Sequence, residues 1–174
     1  MVISNIKLGF AQKKVTDLSR KFSLSAQESS VKRVCVILDE ADARLMNKFK
    51  EFAKDLNVKE DNFKMLICLS TRSKEKDLES IVFRTSDLTW SGKIRNSEIQ
   101  NLLKEHFDLL ISFTAVESKT ANFITAALSA DLKVNRREET ASGFDLTIST
   151  GYKELDVFMT ELKKYLKILN RIRE

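Results

Sequence analysis

The chain has 174 residues, 43% of them hydrophobic and 32% charged, with a formal net charge of +5. This length and composition predict one well-solvated globular domain with a proper core. No apolar run approaches the roughly 20 residues that a membrane span needs. The first residues also lack the uninterrupted apolar core of a secretory signal. We therefore expect a cytoplasmic protein without membrane contact.

The N-terminal part of the chain is strongly basic. Residues 1–24 carry five basic side chains and one acid, and Val15, Leu18 and Phe22 recur at helical spacing. This pattern predicts a basic amphipathic helix. The polar segment 23–30 follows and is rich in serine, which is typical of a linker. We expect the rest of the chain, residues 31–174, to form a single domain.

Apolar runs alternate with helical patterns along that domain. They predict six strands, at 32–38, 64–69, 80–84, 107–113, 132–135 and 144–149. Helices are predicted at 39–56, at 97–105, after a capping Ser118, and at 152–173, with a polar loop at 136–143. The alternation indicates an α/β three-layer sandwich with a Rossmann-like, mostly parallel sheet in the strand order 3-2-1-4-5-6.

In such a sheet, ligands bind beyond the carboxyl ends of the two central strands. Asp39 follows the first strand, and Ser112 and Thr114 end the fourth, so these three are candidate ligand-binding residues. A Mg²⁺ ion between Asp39 and Asp42 is conceivable. In the simpler alternative, Asp39 ends the strand and Asp42 favours the positive end of the next helix.

The segment 90–96, Trp-Ser-Gly-Lys-Ile-Arg-Asn, is the least ordinary in the chain. Trp90 and Lys93 could stack a base or sugar and hold a phosphate. Alternatively, Trp90 caps the edge of the sheet, Gly92 turns the chain, and Asn96 or Ser97 caps the next helix.

Catalytic and cofactor motifs are not recognisable. The four glycines are well separated, so no glycine-rich phosphate loop is present. Cys35 and Cys68 lie in strand-like runs and are predicted to be reduced core thiols. His106 is the single histidine, and we expect neither a metal site nor a Ser–His–Asp triad around it. No cofactor, metal or catalytic residue is therefore predicted.

The net charge resides in the terminal segments. Residues 1–24 contribute +4 and residues 152–174 contribute +2, whereas residues 25–151 sum to −1. Such basic helices can face nucleic-acid phosphate or an acidic protein surface, or can simply be solvated. The candidate partner-binding residues lie on the exposed faces predicted for the two terminal helices: Lys13, Lys14, Lys163, Lys164, Lys167 and Arg171.

Three stretches carry a resemblance: W-S-G-K-I-R-N (90–96), F-D-L-L-I-S-F (107–113) and E-L-K-K-Y-L-K-I-L-N (161–170). They resemble an uncharacterised family of small bacterial cytoplasmic proteins, a domain of unknown function. That resemblance implies no activity. A looser likeness, over about 32–150, is to the N-terminal half of heptosyltransferase-type glycosyltransferases, in which a similar strand precedes a helix of small residues. The glycine-rich loop and the sugar-nucleotide half of those enzymes are missing here.

Two main hypotheses follow. In the first, the chain is a non-enzymatic binding or adaptor protein whose basic terminal helices contact RNA, a ribonucleoprotein or an acidic protein surface. In the second, it is an enzyme or sensor that binds a nucleotide or sugar phosphate at Asp39, Ser112 and Thr114. Self-association through the first helix or a sheet edge is a third possibility, and the oligomeric state stays open.

Overall fold

The computed structural model describes residues 30–69, 80–115, 118–136, 143–151 and 153–172. The predicted N-terminal helix, with Lys13 and Lys14, lies outside these ranges. Within them, no helix is both long enough and apolar enough to cross a membrane.

The centre of the protein is a six-stranded sheet in which every pair of neighbours is parallel. Its order is β3-β2-β1-β4-β5-β6, which confirms the predicted order. The chain therefore has a Rossmann-like α/β fold, with β1 and β4 adjacent at the middle. The strands are β1 (Val34–Asp39), β2 (Phe63–Leu69), β3 (Ile81–Arg84), β4 (His106–Phe113), β5 (Ser129–Asn135) and β6 (Leu146–Thr147).

Within the described ranges, four α-helices cover the two faces of the sheet: α1 (Met46–Asp55), α2 (Ser97–Leu102), α3 (Lys119–Ala127) and α4 (Leu155–Ile168). The side chains of each strand alternate between the two layers. Val34, Val36 and Leu38 join the core under α1 and α4. Cys35 and Ile37 join the core under α2 and α3. Burial on both faces explains why the central strands read as continuous apolar runs.

Aromatic side chains fix how the helices sit on the sheet. In the first layer, the ring of Phe113 meets Phe49 and Phe158 edge to face, at centroid distances of 5.6 and 5.3 Å. In the second layer, Phe83 and Phe123 stack at 6.1 Å. Each aromatic pair contributes about 0.5–1.5 kcal/mol beyond the area that it buries.

Several element boundaries differ from the prediction. A 3₁₀ turn, Glu40–Leu45, stands between β1 and α1, where one continuous helix was predicted. Asp39 makes no side-chain cap there, because its carboxylate is bonded to the loop after β4. Helix α2 ends at Leu102, β5 begins at Ser129, and β6 has only two residues.

The end of α4 was predicted wrongly, and the error changes the role of one candidate residue. The helix stops at Ile168, and Asn170 adopts a left-handed backbone with φ of 54°. The amides of Asn170 and Arg171 bond back to the carbonyls of Lys167 and Leu166, which is a Schellman termination. This turn directs Arg171 inward, so that it is only 8% exposed. Arg171 is therefore not part of an exposed basic face.

The outer edge of β3 is occupied by side chains from the segment that follows it. The Arg84 amide donates to the Asp87 carboxylate at 2.8 Å. The Asn96 side-chain amide donates to the Val82 carbonyl at 3.4 Å. Both backbone groups belong to alternate residues of one strand and point away from β2.

Candidate functional site

Buried polar side chains gather at the carboxyl edge of the sheet, where ligands bind in this fold class. They follow, or stand at the ends of, four different strands, and each is at most 8% exposed: Asp42, Thr85, Ser112, Thr114, Asn135 and Arg136. Leu38 pairs with Phe113 in the register of β1 and β4, so Asp39 lies level with Thr114. The structure thus brings together Asp39, Ser112 and Thr114, as their positions in the sequence predict.

Asp39 joins the two central strands. One carboxylate oxygen accepts the backbone amide of Ala115 at 2.6 Å. The other accepts the hydroxyl of Ser118 at 2.5 Å. Ser118 occupies the predicted N-cap position of α3, but its side chain makes no capping bond because its hydroxyl is committed to Asp39. Both oxygens of this carboxylate therefore serve the connection between β1 and α3.

Ser112 and Thr114 belong to a chain of buried hydroxyls. Their oxygens are 3.2 Å apart, and the Thr125 hydroxyl oxygen lies 3.4 Å from that of Ser112. Thr125 also bonds the Ala121 carbonyl of its own helix at 2.7 Å. Buried hydroxyls need such partners, because an unpaired one costs about 1–3 kcal/mol. The observed bonds connect β4 to α3.

Two buried groups of opposite charge, Asp42 and Arg136, also lie at this edge. Burial, followed by the negative charge of Asp39, raises the pKa of Asp42, and the charges of Arg136 and Arg44 act in the opposite direction. Arg136 is 1% exposed, and its guanidinium lies 4.8 Å from the centre of the Phe113 ring. The sequence analysis placed Arg136 in a polar loop. Its position directly after β5, at the carboxyl edge of the sheet, is the feature from which its burial could have been predicted.

Asp39 and Asp42 are the two carboxylates that the sequence suggests for Mg²⁺. Within the part of the chain that the structure describes, no three acidic, histidine or cysteine side chains cluster in a way that could hold a metal ion. Asp39 and Asp42 therefore belong to no such cluster. Asp42 also lies in the 3₁₀ turn at 5% exposure rather than at the start of an α-helix.

Trp90 and Lys93 belong to a separate hairpin turn after β3. Leu88 and Ile94 pair across it, the Thr89 amide donates to the Lys93 carbonyl at 2.8 Å, and Gly92 has a φ of 75°. Gly92 thus turns the chain as predicted. Trp90 is 62% exposed at this turn, so most of its ring does not pack on the sheet.

Asn96 completes this region by capping α2. Its side-chain oxygen accepts the amides of Glu98 and Ile99, which confirms the predicted cap.

At the opposite, amino edge of the sheet, His106 has partners that sequence reasoning missed. Its Nδ1 lies 2.8 Å from the Ser129 hydroxyl, and its Nε2 lies 2.7 Å from Asp131. The second Asp131 oxygen lies 3.5 Å from Arg171. His106 begins β4 and Ser129 begins β5, and the two residues are paired in the register of these parallel strands. The predicted adjacency of the two strands could therefore have identified Ser129 as a partner of His106. The group links β4, β5 and the segment after α4.

Three candidate partner-binding lysines lie on α4. Its buried stripe consists of Leu155, Phe158, Leu162 and Leu166. Lys164 and Lys167 are exposed and Lys163 is half-buried. Lys164 pairs with Glu161 at 2.5 Å, yet 61% of its side chain stays exposed. Lys163 and Lys167 are one turn apart, about 6 Å along the helix axis.

The cysteines are as predicted: Cys35 and Cys68 are both free and buried.

Comparison with known proteins gives one match. A family model described as "Family of unknown function (DUF6913)" covers residues 7–169. No curated protein and no solved structure matches the chain, so the likeness to heptosyltransferases has no support. The matched span runs from the basic N-terminal segment, through all six strands, to the last turn of α4. The chain therefore belongs to the DUF6913 family of unknown function.

Proposed function

We propose that this chain is a binding protein that holds an acidic macromolecule, with RNA or a ribonucleoprotein as the first candidate, against the lysines of α4. The observation that carries the proposal is the row formed by Lys163, Lys164 and Lys167 opposite the buried stripe of the helix. Ammonium groups repeated along one helix can meet a polymer that repeats its negative charges.

The start of the described chain supports the same surface. The Val31 amide donates to the Arg171 carbonyl at 2.9 Å, so Val31 lies beside the end of α4. We expect the basic residues 1–24, which precede it in the sequence, to add positive charge for an acidic partner of this surface.

The carboxyl edge supports a ligand site less well. The Asp39 carboxylate is bonded to the Ala115 amide and the Ser118 hydroxyl. The hydroxyls of Ser112 and Thr114 lie within hydrogen-bonding distance of each other, and both residues are buried. A phosphate group would have to displace those bonds and approach two carboxylates.

The test is binding of a fluorescent single-stranded RNA, followed by anisotropy over a series of salt concentrations. Counter-ion release predicts a slope of about −0.7 in log K against log salt for each phosphate that is neutralised. Lys163→Gln, Lys164→Gln and Lys167→Gln should each weaken binding and reduce the slope by about that amount. The matched control is Lys104→Gln, an exposed lysine after α2 on the other face of the sheet.

Binding that ignores salt, or that Lys104→Gln weakens equally, contradicts the proposal. If an acidic peptide binds with the same lysine dependence while RNA does not, the partner is a protein. If RNA does not bind, but a nucleotide or sugar phosphate raises the melting temperature and Ser112→Ala abolishes the rise, the function moves to the carboxyl edge.

A further inference from the structure

The hairpin turn after β3 presents an exposed tryptophan. Trp90 is 62% exposed, although tryptophan is highly buried on average in folded proteins. A single exposed hydrophobic side chain needs no explanation by itself. Two further features of this hairpin, its hydrogen bonding and its charge, indicate that the ring is held ready for a partner.

Hydrogen bonds within the turn fix the backbone that carries Trp90. The Thr89 amide donates to the Lys93 carbonyl at 2.8 Å, and the Gly92 amide donates to the Thr89 carbonyl at 3.1 Å. With Gly92 at a φ of 75°, this is a three-residue loop in which a type I turn is followed by a left-handed glycine. The Thr89 hydroxyl lies 2.9 Å from the Ser91 hydroxyl and accepts the Lys93 amide at 3.0 Å. Trp90 therefore stands at the apex of a closed turn.

The base of the hairpin is fastened to the domain. Leu88 and Ile94 pair across it and pack into the core under α2 and α3. The Arg95 amide donates to the Asp87 carbonyl at 2.7 Å, and the Gln100 side-chain amide donates to the Ile94 carbonyl at 2.7 Å. A ligand at the turn does not have to order this segment, so the entropy lost on binding is small.

Two exposed basic side chains follow the turn. Ile94 faces the core, so Lys93 and Arg95 on either side of it point away from the core and are about 7 Å apart along the chain. No acidic residue lies between Asp87 and Glu98. Asp87 accepts a backbone amide of β3, and Glu98 belongs to the first turn of α2. The hairpin between them therefore carries two positive charges.

We propose that the hairpin 88–95 is a contact site for single-stranded nucleic acid, separate from α4. An unpaired base stacks on the ring of Trp90, and the phosphates beside that base meet Lys93 and Arg95. Stacking requires no particular base sequence, because every base has an aromatic face. The two cations attract the backbone that carries the base.

The shape of the site favours a polymer over a free nucleotide. Small-molecule sites are concave and enclose most of the ligand. Trp90 instead stands at the apex of a turn, and most of its side chain is open. A polymer can bind such a convex site, because it adds this contact to others along its length. A duplex carries the same phosphates, but its bases are already stacked on one another, so the single strand is the form that can use the ring.

The site is independent of the lysines of α4. Leu88 and Ile94 belong to the core under α2 and α3, whereas α4 covers the opposite face of the sheet. Either surface can therefore bind nucleic acid when the other does not, and substitutions in one leave the other in place.

Trp90 is the single tryptophan of the chain, so its own fluorescence reports what happens at the hairpin. The test titrates the full chain with oligouridine and, separately, with an abasic strand of the same length. We expect saturable quenching by oligouridine and none by the abasic strand, which keeps the phosphates but has no bases. Equal quenching by the two strands overturns the proposal. Equal quenching by free uridine monophosphate, at the same nucleotide concentration, overturns the choice of a polymer.

The contribution of each side chain is measured with a fluorescent oligouridine, in a chain whose three α4 lysines are replaced by glutamine. Trp90→Ala should weaken binding about tenfold, and Trp90→Phe by much less, because phenylalanine keeps an aromatic face. Arg95→Gln should reduce the salt slope by about 0.7, whereas the matched control Lys104→Gln should leave it unchanged. Equal affinity with and without the Trp90→Ala substitution contradicts the proposal.

Failure of this proposal and failure of the α4 proposal give different results. Quenching that survives replacement of the three α4 lysines supports a separate site, and quenching that is lost with them overturns it. If those lysines make no difference to RNA binding but Trp90→Ala does, the α4 proposal fails and the hairpin site stands. Quenching by an acidic peptide but not by oligouridine overturns the proposal and assigns the hairpin to a protein partner.

Discussion

The Asp39 carboxylate accepts a hydrogen bond of 2.5 Å from the Ser118 hydroxyl, across 79 positions of sequence. With the bond from the Ala115 amide, it fastens the end of β1 to the start of α3 at the middle of the sheet. This is where a Rossmann-like fold ordinarily opens to its ligand.

Replacing Asp39 with alanine should therefore reduce the free energy of unfolding by about 1–3 kcal/mol, because the Ala115 amide loses its partner. Urea denaturation measures the loss. Asp61→Ala, at an exposed position before β2, is the control and should change stability by less than about 0.5 kcal/mol. Equal stability of the two variants would show that the Asp39 bonds contribute nothing.

Asp131 should also be important for stability, because it lies beside both His106 and the buried Arg171. Arg171 is only 8% exposed, and in Asp131→Ala its charge loses the neighbouring carboxylate. We expect a loss of about 1–3 kcal/mol and faster hydrogen exchange around residues 166–172.

Asp156→Ala is the matched control for that measurement. Asp156 pairs with Lys48 at 2.8 Å, but 81% of its side chain is exposed. An exposed pair contributes about 0–1 kcal/mol. If both variants lose the same stability, burial of Arg171 has no energetic consequence.

Lys133 on β5 gives a pH-dependent prediction. Its ammonium donates to the carbonyls of Thr125 and Ala126 in the last turn of α3, at 3.1 and 3.5 Å. Burial lowers its pKa from 10.5, and the charge of Asp145 offsets part of that shift. Between the lowered pKa and 10.5 the folded chain holds fewer protons than the unfolded chain, so the contribution of Lys133 to stability rises with pH.

The wild-type protein should accordingly gain stability relative to Lys133→Met as the pH is raised from 7 towards 10.5. Urea denaturation of both proteins at several pH values measures this difference. The same comparison with Lys104→Met, at an exposed position, should give a smaller change. A difference between wild type and Lys133→Met that does not vary with pH contradicts the prediction.

The two cysteines should be nearly inert towards iodoacetamide in the folded protein. Burial raises the pKa of both thiols, with further contributions from Glu105 at Cys35 and from Asp39 and then Cys35 at Cys68. The thiolate is the reactive species, so alkylation has to wait for the chain to open. Mass spectrometry should show slow labelling that becomes rapid in denaturant.

A cysteine placed at the exposed position 168 supplies the comparison. Ile168→Cys should react quickly under the same conditions, because Ile168 is 72% exposed. Rapid native labelling at Cys35 or Cys68 would be inconsistent with their burial.

The order of the sheet could be predicted because its central strands are apolar on both faces and separate cleanly from amphipathic helices. The end of α4 could not be, since leucine, isoleucine and arginine continue the helical pattern past Ile168. Asn170 stops the helix by adopting a left-handed backbone, as Asn57 does with φ of 58° after α1. Asparagine tolerates that conformation, and this was the one local signal.

The candidate site was predicted only in part, for a related reason. Positions at strand ends follow from the fold class, so Asp39, Ser112 and Thr114 were placed correctly at the carboxyl edge. Their bonding partners depend on how loops close over that edge, as for Ser118 and Thr125. Arg136 appeared solvated because arginine seldom lies in a core, yet the Phe113 ring and the charge of Asp42 accommodate it here.

The two side-chain bonds on the outer backbone of β3 limit how this protein can aggregate. A fibre that grows strand by strand needs a free edge on each side of every molecule that it adds. Asp87 and Asn96 occupy two of the backbone groups that β3 would offer to an incoming strand. A strand from another molecule would have to break both bonds before it could pair with β3, so this edge resists the growth of a fibre.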